Sequence, residues 1–452
     1  MYRITNPATG QVVKDFATMS DADVTAVLDR ADREYQTWRE RPVSERAAAV
    51  NRAAELFRER ADDLAGLMRV EMGKRPAEGV GEIGLTADIF AYYGENAKEL
   101  LADEPFPLQG AGGVIEKRPV GVLLGIMPWN YPYYQVARFA APNLVLGNTI
   151  LLKHAPSCPA SAEAIQRLLH DAGIPTDAYI NIFASNEQVA DIIADSRLQG
   201  VSLTGSERAG AAVAATAGQH LKKVVLELGG SDPMIILDSE DVPALARQAA
   251  MARMGNSGQA CNAPKRMIVM SDIYEEFVES LTREVAALVP GDPEDPGTTL
   301  APLASMEAAE RLMEQLGTAV TQGAVVQTGG RRLERPGAFV EPTVLTDVKP
   351  GMDAHQEELF GPVAVVYRVD TEDEAVELAN DTPYGLGSAV FATEPERARA
   401  VGRRLDVGMV YINAPGGSQA DLPFGGVKRS GLGRELGALG IQEFMNKRIV
   451  RI

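Results

Sequence analysis

The segment GVLLGIMPWNYPYYQVARFAAPNLVLGNTILLKHA (residues 121–155) sets the architecture of this chain. It contains a short apolar run, then a segment of helix length, then a second short apolar run. Short runs that are apolar on both faces are typical of strands buried in a parallel sheet, and helices connect such strands. The segment therefore predicts a strand–helix–strand unit.

The alternation of short apolar runs and longer segments continues toward the C-terminus. The runs GVSLT (200–204) and KVVLELG (223–229) extend the first series. A second series starts at PMIILD (233–238) and ends at VGMVYIN (407–413), so that the break falls at the glycine pair 229–230. This pattern predicts an α/β protein with two doubly wound domains, whose ligands bind at the carboxyl ends of the strands.

The first hundred residues have helical periodicity instead. Apolar residues spaced three and four apart follow Ser20, a residue type that often caps a helix N-terminus. Similar amphipathic patterns start near Ser44 and after Pro76. We therefore expect a helical segment before the first strand of the α/β series.

The composition restricts the class of protein. The 452 residues include 62 Asp and Glu against 44 Lys and Arg, a formal net charge of −18, and such a surface repels nucleic acid and anionic membranes. The N-terminus lacks the pattern of a signal peptide, and no apolar stretch reaches the roughly 20 residues that cross a bilayer. With two cysteines and four histidines, no disulfide framework or metal cluster is expected. These features predict a cytoplasmic protein without a metal, nucleic acid or membrane partner.

Three polar features follow predicted strands, where a ligand is expected. Lys153 ends the run TILLK, Asn130 lies in the loop PWNYP (128–132), and GSERAG (205–210) is a glycine turn that opens a helix. Free amides and the positive dipole end of a helix suit a phosphate. Each feature also has a structural interpretation, namely a solvated lysine, a helix cap by Asn130 and a tight turn.

Two further residues have the chemistry of a covalent mechanism. Glu227 lies at the apolar end of VLELGG (225–230), where desolvation raises the pKa of a carboxyl toward that of a general base, although a buried ion pair is the alternative. Cys261 ends the small polar segment NSGQAC (256–261), which gives a thiol access and nearby backbone donors. A thiolate, an amide donor for the oxyanion, a carboxylate base and a dinucleotide site are the groups that aldehyde oxidation requires.

The order of these motifs resembles the aldehyde dehydrogenase superfamily along nearly the whole chain. Seven motifs carry the resemblance: PWNYP, LLKHAP, LTGSERAG, LELGGSDP, NSGQAC, EELFGPV and PFGGVKRSGLGRE. It implies an aldehyde dehydrogenase-like α/β fold of two doubly wound α/β domains plus a small oligomerisation β-extension. It also implies a cofactor-binding domain at 1–228, with part of the oligomerisation hairpin near 111–120, a catalytic domain at 229–425 and a returning C-terminal segment at 426–452.

The resemblance implies roles for individual residues. Cys261 resembles the family's nucleophile, Glu227 its general base for deacylation, and Asn130, with the backbone N–H of Cys261, its oxyanion hole. Lys153 and Glu358 resemble the residues that hold the cofactor riboses. The other expected cofactor contacts are Phe360 beside the nicotinamide, and Met127, Pro128, Trp129, Ala155, Pro156, Gly205, Ser206, Gly210 and Leu228.

Pro156 bears on the choice of cofactor. Many NAD-preferring members have a Glu three residues after the lysine, where it accepts a hydrogen bond from the adenosine 2′-OH. Pro156 occupies that position here, so no carboxylate repels a 2′-phosphate. We therefore expect NADP or NAD as cofactor with a preference for NADP, although proline supplies no positive partner.

Arg138 bears on the substrate. It lies eight residues after Asn130, which on a helix would place both residues on one face. A guanidinium can bind a carboxylate through two hydrogen bonds, and succinate-semialdehyde dehydrogenases have an arginine at this place. The alternative is an ion pair with a nearby Asp or Glu. Ser418 matches a serine that helps to hold the carboxylate, whereas Gly255 stands where some members have a second arginine.

The C-terminal segment NKRIVRI (446–452) has strand propensity and no evident partner strand in its own chain. In the family such a tail adds to a neighbour's sheet. An unpaired edge strand would otherwise favour aggregation. The resemblance therefore implies a homodimer or a homotetramer.

Taken together, these features favour NAD(P)-dependent oxidation of succinate semialdehyde to succinate. A broad-specificity aldehyde dehydrogenase, in which Arg138 has only a structural role, is the main alternative. A coenzyme A-acylating relative would lack the deacylating carboxylate at Glu227. A protein that keeps the fold as a binding or structural module would lack the catalytic residues.

Overall fold

The computed structural model describes residues 1–108 and 111–451. The strands are β1 (Tyr2–Thr5), β2 (Val12–Phe16), β3 (Glu104–Leu108), β4 (Ala111–Pro119), β5 (Val122–Met127), β6 (Thr149–His154), β7 (Tyr179–Asn181), β8 (Leu198–Thr204), β9 (Lys223–Glu227), β10 (Asp232–Ile236), β11 (Pro264–Met270), β12 (Val325–Thr328), β13 (Thr343–Thr346), β14 (Val363–Val369), β15 (Gly387–Phe391), β16 (Met409–Ile412), β17 (Gly431–Leu432) and β18 (Met445–Arg451). The helices are α1 (Asp21–Trp38), α2 (Val43–Glu59), α3 (Ala61–Met72), α4 (Pro76–Glu95), α5 (Ala97–Leu100), α6 (Tyr134–Leu146), α7 (Pro159–Asp171), α8 (Asn186–Ala194), α9 (Glu207–Gln219), α10 (Val242–Met254), α11 (Tyr274–Ala286), α12 (Met306–Thr321), α13 (Asp353–Gln356), α14 (Glu372–Asn380), α15 (Pro395–Gly402) and α16 (Gly437–Gly440).

A six-stranded sheet contains the first series of apolar runs, in the order β17–β9–β8–β5–β6–β7. Strands β5 to β9 pair in parallel, and β17 joins β9 antiparallel at the edge. The chain proceeds from β5 to β6 on one side and later to β8 on the other. The topological switch point of this sheet therefore lies beside β5, where a ligand of such a sheet binds.

A seven-stranded sheet contains the second series, in the order β12–β13–β14–β11–β10–β15–β16. Its strands are parallel except for β12 at one edge. The predicted break at residues 229–230 lies in the segment that joins β9 to β10. The predicted α/β fold is confirmed, with one antiparallel edge strand in each sheet that the alternation did not predict.

The C-terminal strand corrects one expectation. β18 does have a partner in its own chain, because it pairs antiparallel with β4 from Met445 opposite Pro119 to Arg451 opposite Gly113. β3 completes this three-stranded sheet on the other side of β4. The sequence could not supply this pairing, since β4 and β18 are separated by more than three hundred residues. Ile452, the last residue of the predicted strand, lies outside the described residues.

Helices cover the sheets as the periodicity predicted. The Ser20 hydroxyl accepts a hydrogen bond from the amide of Asp23 and caps α1. The amphipathic pattern near Ser44 is two helices, α2 and α3, because the backbone departs from helical angles at Arg60. Within the described residues, none of the helices combines the length and the apolar character that a membrane crossing requires.

Candidate active site

The predicted site residues lie at facing edges of the two large sheets. Glu227 ends β9, Lys153 is the last residue but one of β6 and Asn130 follows β5, all at the carboxyl edge of the six-stranded sheet. Cys261 precedes β11 at the amino edge of the seven-stranded sheet. A Cβ at Gly230, three residues after Glu227, would lie 2.6 Å from the carbonyl oxygen of Cys261, so the two edges are adjacent at this point.

The segment before Cys261 is a constrained turn. Asn256, Ser257 and Gly258 have φ angles of 52°, 53° and 72°, all in the left-handed region. Such a conformation costs about 1–3 kcal/mol for a residue other than glycine, so the surroundings must maintain it. The Ser257 hydroxyl, for example, donates to the carbonyl oxygen of Ala301 at 2.8 Å. The polar residues of NSGQAC therefore fix the backbone that presents the thiol.

Lys265 supports the backbone of the cysteine from within the protein. Its ammonium donates to the carbonyl oxygens of Ala260 at 2.9 Å and Cys261 at 2.7 Å. It also forms an ion pair with Glu358, with Nζ 3.1 Å from Oε1. One buried cation therefore connects the segment of Cys261 to the carboxylate that is predicted to hold a ribose.

The thiol of Cys261 is half-buried. Its removal from water raises its pKa to about 12, although the positive charges of Arg138 and Lys265 act in the opposite direction. The carboxyl groups of Glu358 and Glu227 raise the pKa further. The thiol is consequently protonated at neutral pH in the free protein, and its attack requires transfer of the proton to a base.

Glu227 has the environment of a general base. Both carboxyl oxygens are buried and have no hydrogen-bond partner among residues 1–108 and 111–451. Burial raises the pKa of Glu227 well above its usual range, opposed by Arg138 and reinforced by Glu435. A Cβ at Gly425 would lie 2.7 Å from Glu227 Oε1, so the glycine leaves room for the carboxyl. This carboxyl is available to a water or to a reacting group.

Asn130 lies in the bend between β5 and α6. Its Nδ2 donates to the carbonyl oxygen of Gln259 at 3.0 Å, two residues before Cys261, and the second amide hydrogen remains for another acceptor. Helix α6 begins only at Tyr134. The expectation that Asn130 and Arg138 share a helix face is therefore wrong, because only Arg138 is on the helix.

A cavity of about 280 Å³ opens beside the thiol. Aromatic rings, small residues and a few polar groups form its wall. The lining includes Glu82, Leu85, Tyr131, Tyr134, Cys261, Asn262, Ser418 and Phe424. Its volume and mixed lining suit a small aldehyde that has one polar end.

Arg138 is buried and is not among the residues that line this cavity. Its Nε lies 2.7 Å from Glu435 Oε2, and its guanidinium lies over the rings of Tyr134 and Phe424, with centroid distances of 4.8 and 4.5 Å. This is the ion pair that the sequence left open as the alternative. Arg138 reaches the cavity through Tyr134, because Nη1 donates to the Tyr134 hydroxyl at 3.3 Å and that hydroxyl donates to Ser418 Oγ at 2.7 Å.

Lys153 and Glu358 provide charged groups for a cofactor. The Lys153 side chain is largely buried, and its ammonium has neither an ion pair nor a hydrogen bond within the described chain. The Glu358 carboxylate accepts from the Gly230 amide at 3.2 Å, and a Cβ at Gly229 would lie 2.6 Å from its Oε2. The ring of Phe360 meets that of Trp129 edge-on at 5.7 Å. A buried cation, a fixed carboxylate and aromatic walls fit a nicotinamide dinucleotide.

The turn at residues 205–210 forms the N-terminus of α9, as predicted. Ser206 is the N-cap and accepts a hydrogen bond from the Ala209 amide. A Cβ at Gly210 would lie 2.6 Å from Leu228 Cδ2, so the glycine permits close packing of the helix on the end of β9. The first amides of α9 stand at the same sheet edge as Lys153, where they suit a pyrophosphate.

Comparison with known proteins identifies the family. Residues 1–450 match the family model described as the aldehyde dehydrogenase family. The chain belongs to the aldehyde dehydrogenase family. This assignment confirms the resemblance that the seven motifs indicated.

Individual aldehyde dehydrogenases resemble this chain over its full length. The succinate-semialdehyde dehydrogenase [NADP(+)] of Deinococcus radiodurans is 56% identical over 446 residues, which cover 99% of this chain and 94% of that protein. A probable succinate-semialdehyde dehydrogenase [NADP(+)] of Synechocystis is 42% identical, with coverage of 99% and 98%. The crystal structure of succinic semialdehyde dehydrogenase from Streptococcus pyogenes, in complex with NADP+, has a TM-score of 0.98 at 41% identity and covers both chains completely.

The sequence missed several residues that shape this aldehyde dehydrogenase site. Lys265 follows the cysteine by four positions, Glu435 ends the motif PFGGVKRSGLGRE, and Tyr134 follows PWNYP. Each lies within or next to a recognised motif, so proximity was the available signal. The buried residues Lys74 and Glu82 had no such signal, because they belong to a helical region far from every motif.

Arg253, two residues before Gly255, is fully buried and binds the backbone of the chain. Its guanidinium donates to the backbone carbonyl oxygens of Gly258, Leu359, Gly361 and Val363 at 2.6 to 3.0 Å. Burial lowers its pKa to about 9. The side chain connects the turn before Cys261 to the EELFGPV segment of the dehydrogenase.

The pKa of Cys261 predicts the pH dependence of its alkylation. With the cofactor absent, we expect the rate constant for iodoacetamide to rise about tenfold per pH unit from about pH 7 to about pH 10, because the thiolate fraction grows in that proportion below the pKa. Mass spectrometry of Cys261 measures the modification, and Cys158, which is fully buried, serves as the internal control. A plateau near pH 8 would mean that the thiol has an ordinary or lowered pKa.

Proposed function

We propose that this dehydrogenase oxidises succinate semialdehyde to succinate with NADP. The observation that carries the proposal is the hydroxyl pair of Tyr134 and Ser418 in the wall of the cavity beside Cys261. Relatives named as succinate-semialdehyde dehydrogenases [NADP(+)], up to 56% identical over the full chain, support the same assignment. A broad-specificity aldehyde dehydrogenase is the alternative.

The hydrogen bonds in the cavity wall leave a donor for a carboxylate. Arg138 donates to the Tyr134 oxygen, and the Tyr134 hydroxyl donates to Ser418 Oγ. Each hydroxyl has one proton, so that of Ser418 remains for a ligand. We therefore assign Ser418 to direct contact with the distal carboxylate and Arg138 to indirect support through Tyr134, with its positive charge behind the ring.

The catalytic residues have separate tasks in the reaction. The Cys261 thiol transfers its proton to water in the cavity as its sulfur forms a bond to the aldehyde carbon, and the Asn130 amide and the backbone N–H of Cys261 stabilise the resulting oxyanion. Bound NADP supplies the hydride acceptor of the oxidation. Glu227 then takes a proton from the water that cleaves the thioester, which releases the acid and the free thiol.

The cofactor residues support NADP over NAD. Lys153 offers an ammonium that has no partner among the described residues, and Pro156, three residues later, is exposed and presents no carboxylate. The first amides of α9 and the carboxylate of Glu358 would hold the pyrophosphate and a ribose. We further propose that the unit of the six-stranded sheet is the cofactor-binding domain and that of the seven-stranded sheet the catalytic domain.

A rate comparison tests the proposed substrate and cofactor together. We expect succinate semialdehyde to exceed butanal in kcat/KM by about 100-fold, or about 2.7 kcal/mol in transition-state binding, because butanal lacks only the carboxylate. Each aldehyde is measured with NADP and with NAD by the absorbance of the reduced cofactor, and we expect higher kcat/KM with NADP. Equal rates for the two aldehydes would favour the broad-specificity alternative, and higher kcat/KM with NAD would reject the role given to Pro156.

We also propose that the protein is a cytoplasmic homodimer or homotetramer. One edge of β18 pairs with β4, and the other edge faces no strand in the described part of the chain. Ile449 on β18 is 64% exposed. An edge of this kind is suited to a second copy of the chain, and the two free cysteines suit a reducing compartment.

A further inference from the structure

A fully buried ion pair lies beneath the loop that contains Asn130. Lys74 precedes α4 and Glu82 lies on its second turn, and both side chains are 0% exposed. Their charged groups are in direct contact. Burial of two charges has a large desolvation cost, so such a pair persists only where further hydrogen bonds satisfy both groups.

The remaining contacts of Lys74 are with the oxyanion loop. Its ammonium donates to the carbonyl oxygen of Asn130 at 3.1 Å and lies 4.0 Å from the centroid of the Tyr131 ring. The carboxylate, the carbonyl and the face of the ring account for the three donors of the ammonium. Lys74 therefore holds the backbone of Asn130, the residue whose side-chain amide is proposed to stabilise the oxyanion.

The remaining contacts of Glu82 are with the start of α6. Its Oε1 accepts from the amides of Tyr133 at 2.8 Å and Tyr134 at 3.1 Å. A carboxylate at this end of a helix satisfies free amides and complements the helix dipole. The pair therefore holds residues 130–134 at both ends, with Lys74 at the loop and Glu82 at the helix.

The carbonyl of Asn130 also joins the loop to the nucleophile segment. It accepts a second hydrogen bond, from Asn256 Nδ2 at 3.0 Å, and the Asn130 amide donates to Gln259. A shift of the loop would therefore change both the oxyanion donor and the turn that presents Cys261. Geometry of this kind matters because an oxyanion donor acts only at hydrogen-bond distance.

We propose that Lys74 and Glu82 are positioning residues that set the Asn130 amide against the Cys261 sulfur. The proposal rests on the function proposed above, in which Asn130 stabilises the oxyanion. Neither residue takes part in bond formation. Their effect is expected in the rate of thioester formation and not in the affinity for the cofactor.

The test is a double-mutant cycle between Glu82→Gln and Asn130→Ala. Stopped-flow measurement of the burst of reduced cofactor, at saturating cofactor and aldehyde, gives the rate constant of thioester formation. We expect E82Q to lower it about tenfold or more in the wild-type background and less than threefold in the N130A background, since loss of one oxyanion donor costs about 10²–10³-fold. Equal losses in the two backgrounds would overturn the proposal.

Two further variants separate positioning from stability. Glu71→Gln is the matched control, because Glu71 is also a buried carboxylate that accepts from the first amides of a helix, those of Ala160 and Ser161 on α7. We expect E71Q to lower the unfolding temperature without changing the burst rate constant, and an equal loss of burst rate in E71Q would contradict the proposal. Where E82Q does not fold, Lys74→Met/Glu82→Gln, which leaves no unpaired charge, replaces it in the cycle.

The wild-type protein distinguishes failure of this proposal from failure of the proposed function. A burst with butanal but none with succinate semialdehyde would reject the substrate, and the cycle would then be measured with butanal. Coupling between residues 82 and 130 would still establish the positioning role. A normal burst without coupling would reject only the positioning role.

Discussion

Cys261→Ala abolishes aldehyde oxidation while NADP still binds. Without the sulfur no covalent intermediate forms, and we expect kcat to fall by at least about four decades. The substitution removes one atom from a half-buried side chain, and Lys265 still holds the backbone through the carbonyls of residues 260 and 261. Steady-state assays measure the loss of turnover, and fluorescence titration measures the binding of NADP.

The second cysteine provides the matched control for this substitution. Cys158 is fully buried at the N-cap of α7, and the protein raises the pKa of its thiol well above the usual range by burial. Cys158→Ala makes the same change at the other cysteine. We expect it to lower the free energy of unfolding by about 1 kcal/mol and to leave turnover unchanged. Turnover of C261A near that of the wild type would remove Cys261 from the mechanism, as would loss of turnover in C158A alone.

The sequence predicted the parts of this site that depend on local order along the chain. Alternating apolar runs predicted the strands, and the motifs that contain Lys153, Glu227 and Ser206 lie at the end of a strand or the start of a helix. Local pattern suffices there, because burial on both faces and helix capping depend on neighbouring residues.

Contacts between distant segments could not be predicted in this way. The partner of Arg138 is Glu435, nearly three hundred residues later, and the partner strand of β18 is equally remote. Lys74 and Glu82 occur in a helical pattern in which a charged residue normally faces solvent. The left-handed φ angles at Asn256 and Ser257 are likewise maintained by tertiary contacts. Neither residue is a glycine, so the residue type alone does not predict such an angle.

Glu227→Gln separates the two halves of the reaction. The amide has nearly the shape of the carboxyl but cannot take a proton from water, so thioester formation continues and its hydrolysis stops. We expect one burst of reduced cofactor per active site, followed by steady turnover about 10²–10³-fold below wild type. The buried carboxyl has no partner within the described residues, so the substitution breaks no hydrogen bond. Stopped-flow absorbance resolves the burst from the steady phase.

A second Glu-to-Gln change provides the comparison. Glu358→Gln weakens the ion pair with Lys265 and the predicted contact with a ribose, so we expect a higher KM for the cofactor without accumulation of the thioester.

One outcome would contradict the role given to Glu227. Equal loss of the burst and the steady phase in E227Q would assign Glu227 to deprotonation of Cys261.

The pH dependence of turnover gives an independent test of Glu227. Burial raises the pKa of this carboxyl well above its usual range, and a base acts only when it is ionised. Steady turnover of the wild type should therefore rise with pH through that raised pKa, while the burst amplitude stays at one per site. In E227Q the rise should disappear from the steady phase, since no carboxyl remains to ionise at this position. If steady turnover of E227Q still rises with pH over the same range, the titrating group is not Glu227. Cys261 would then be the first residue to examine, because its thiol also ionises above neutral pH.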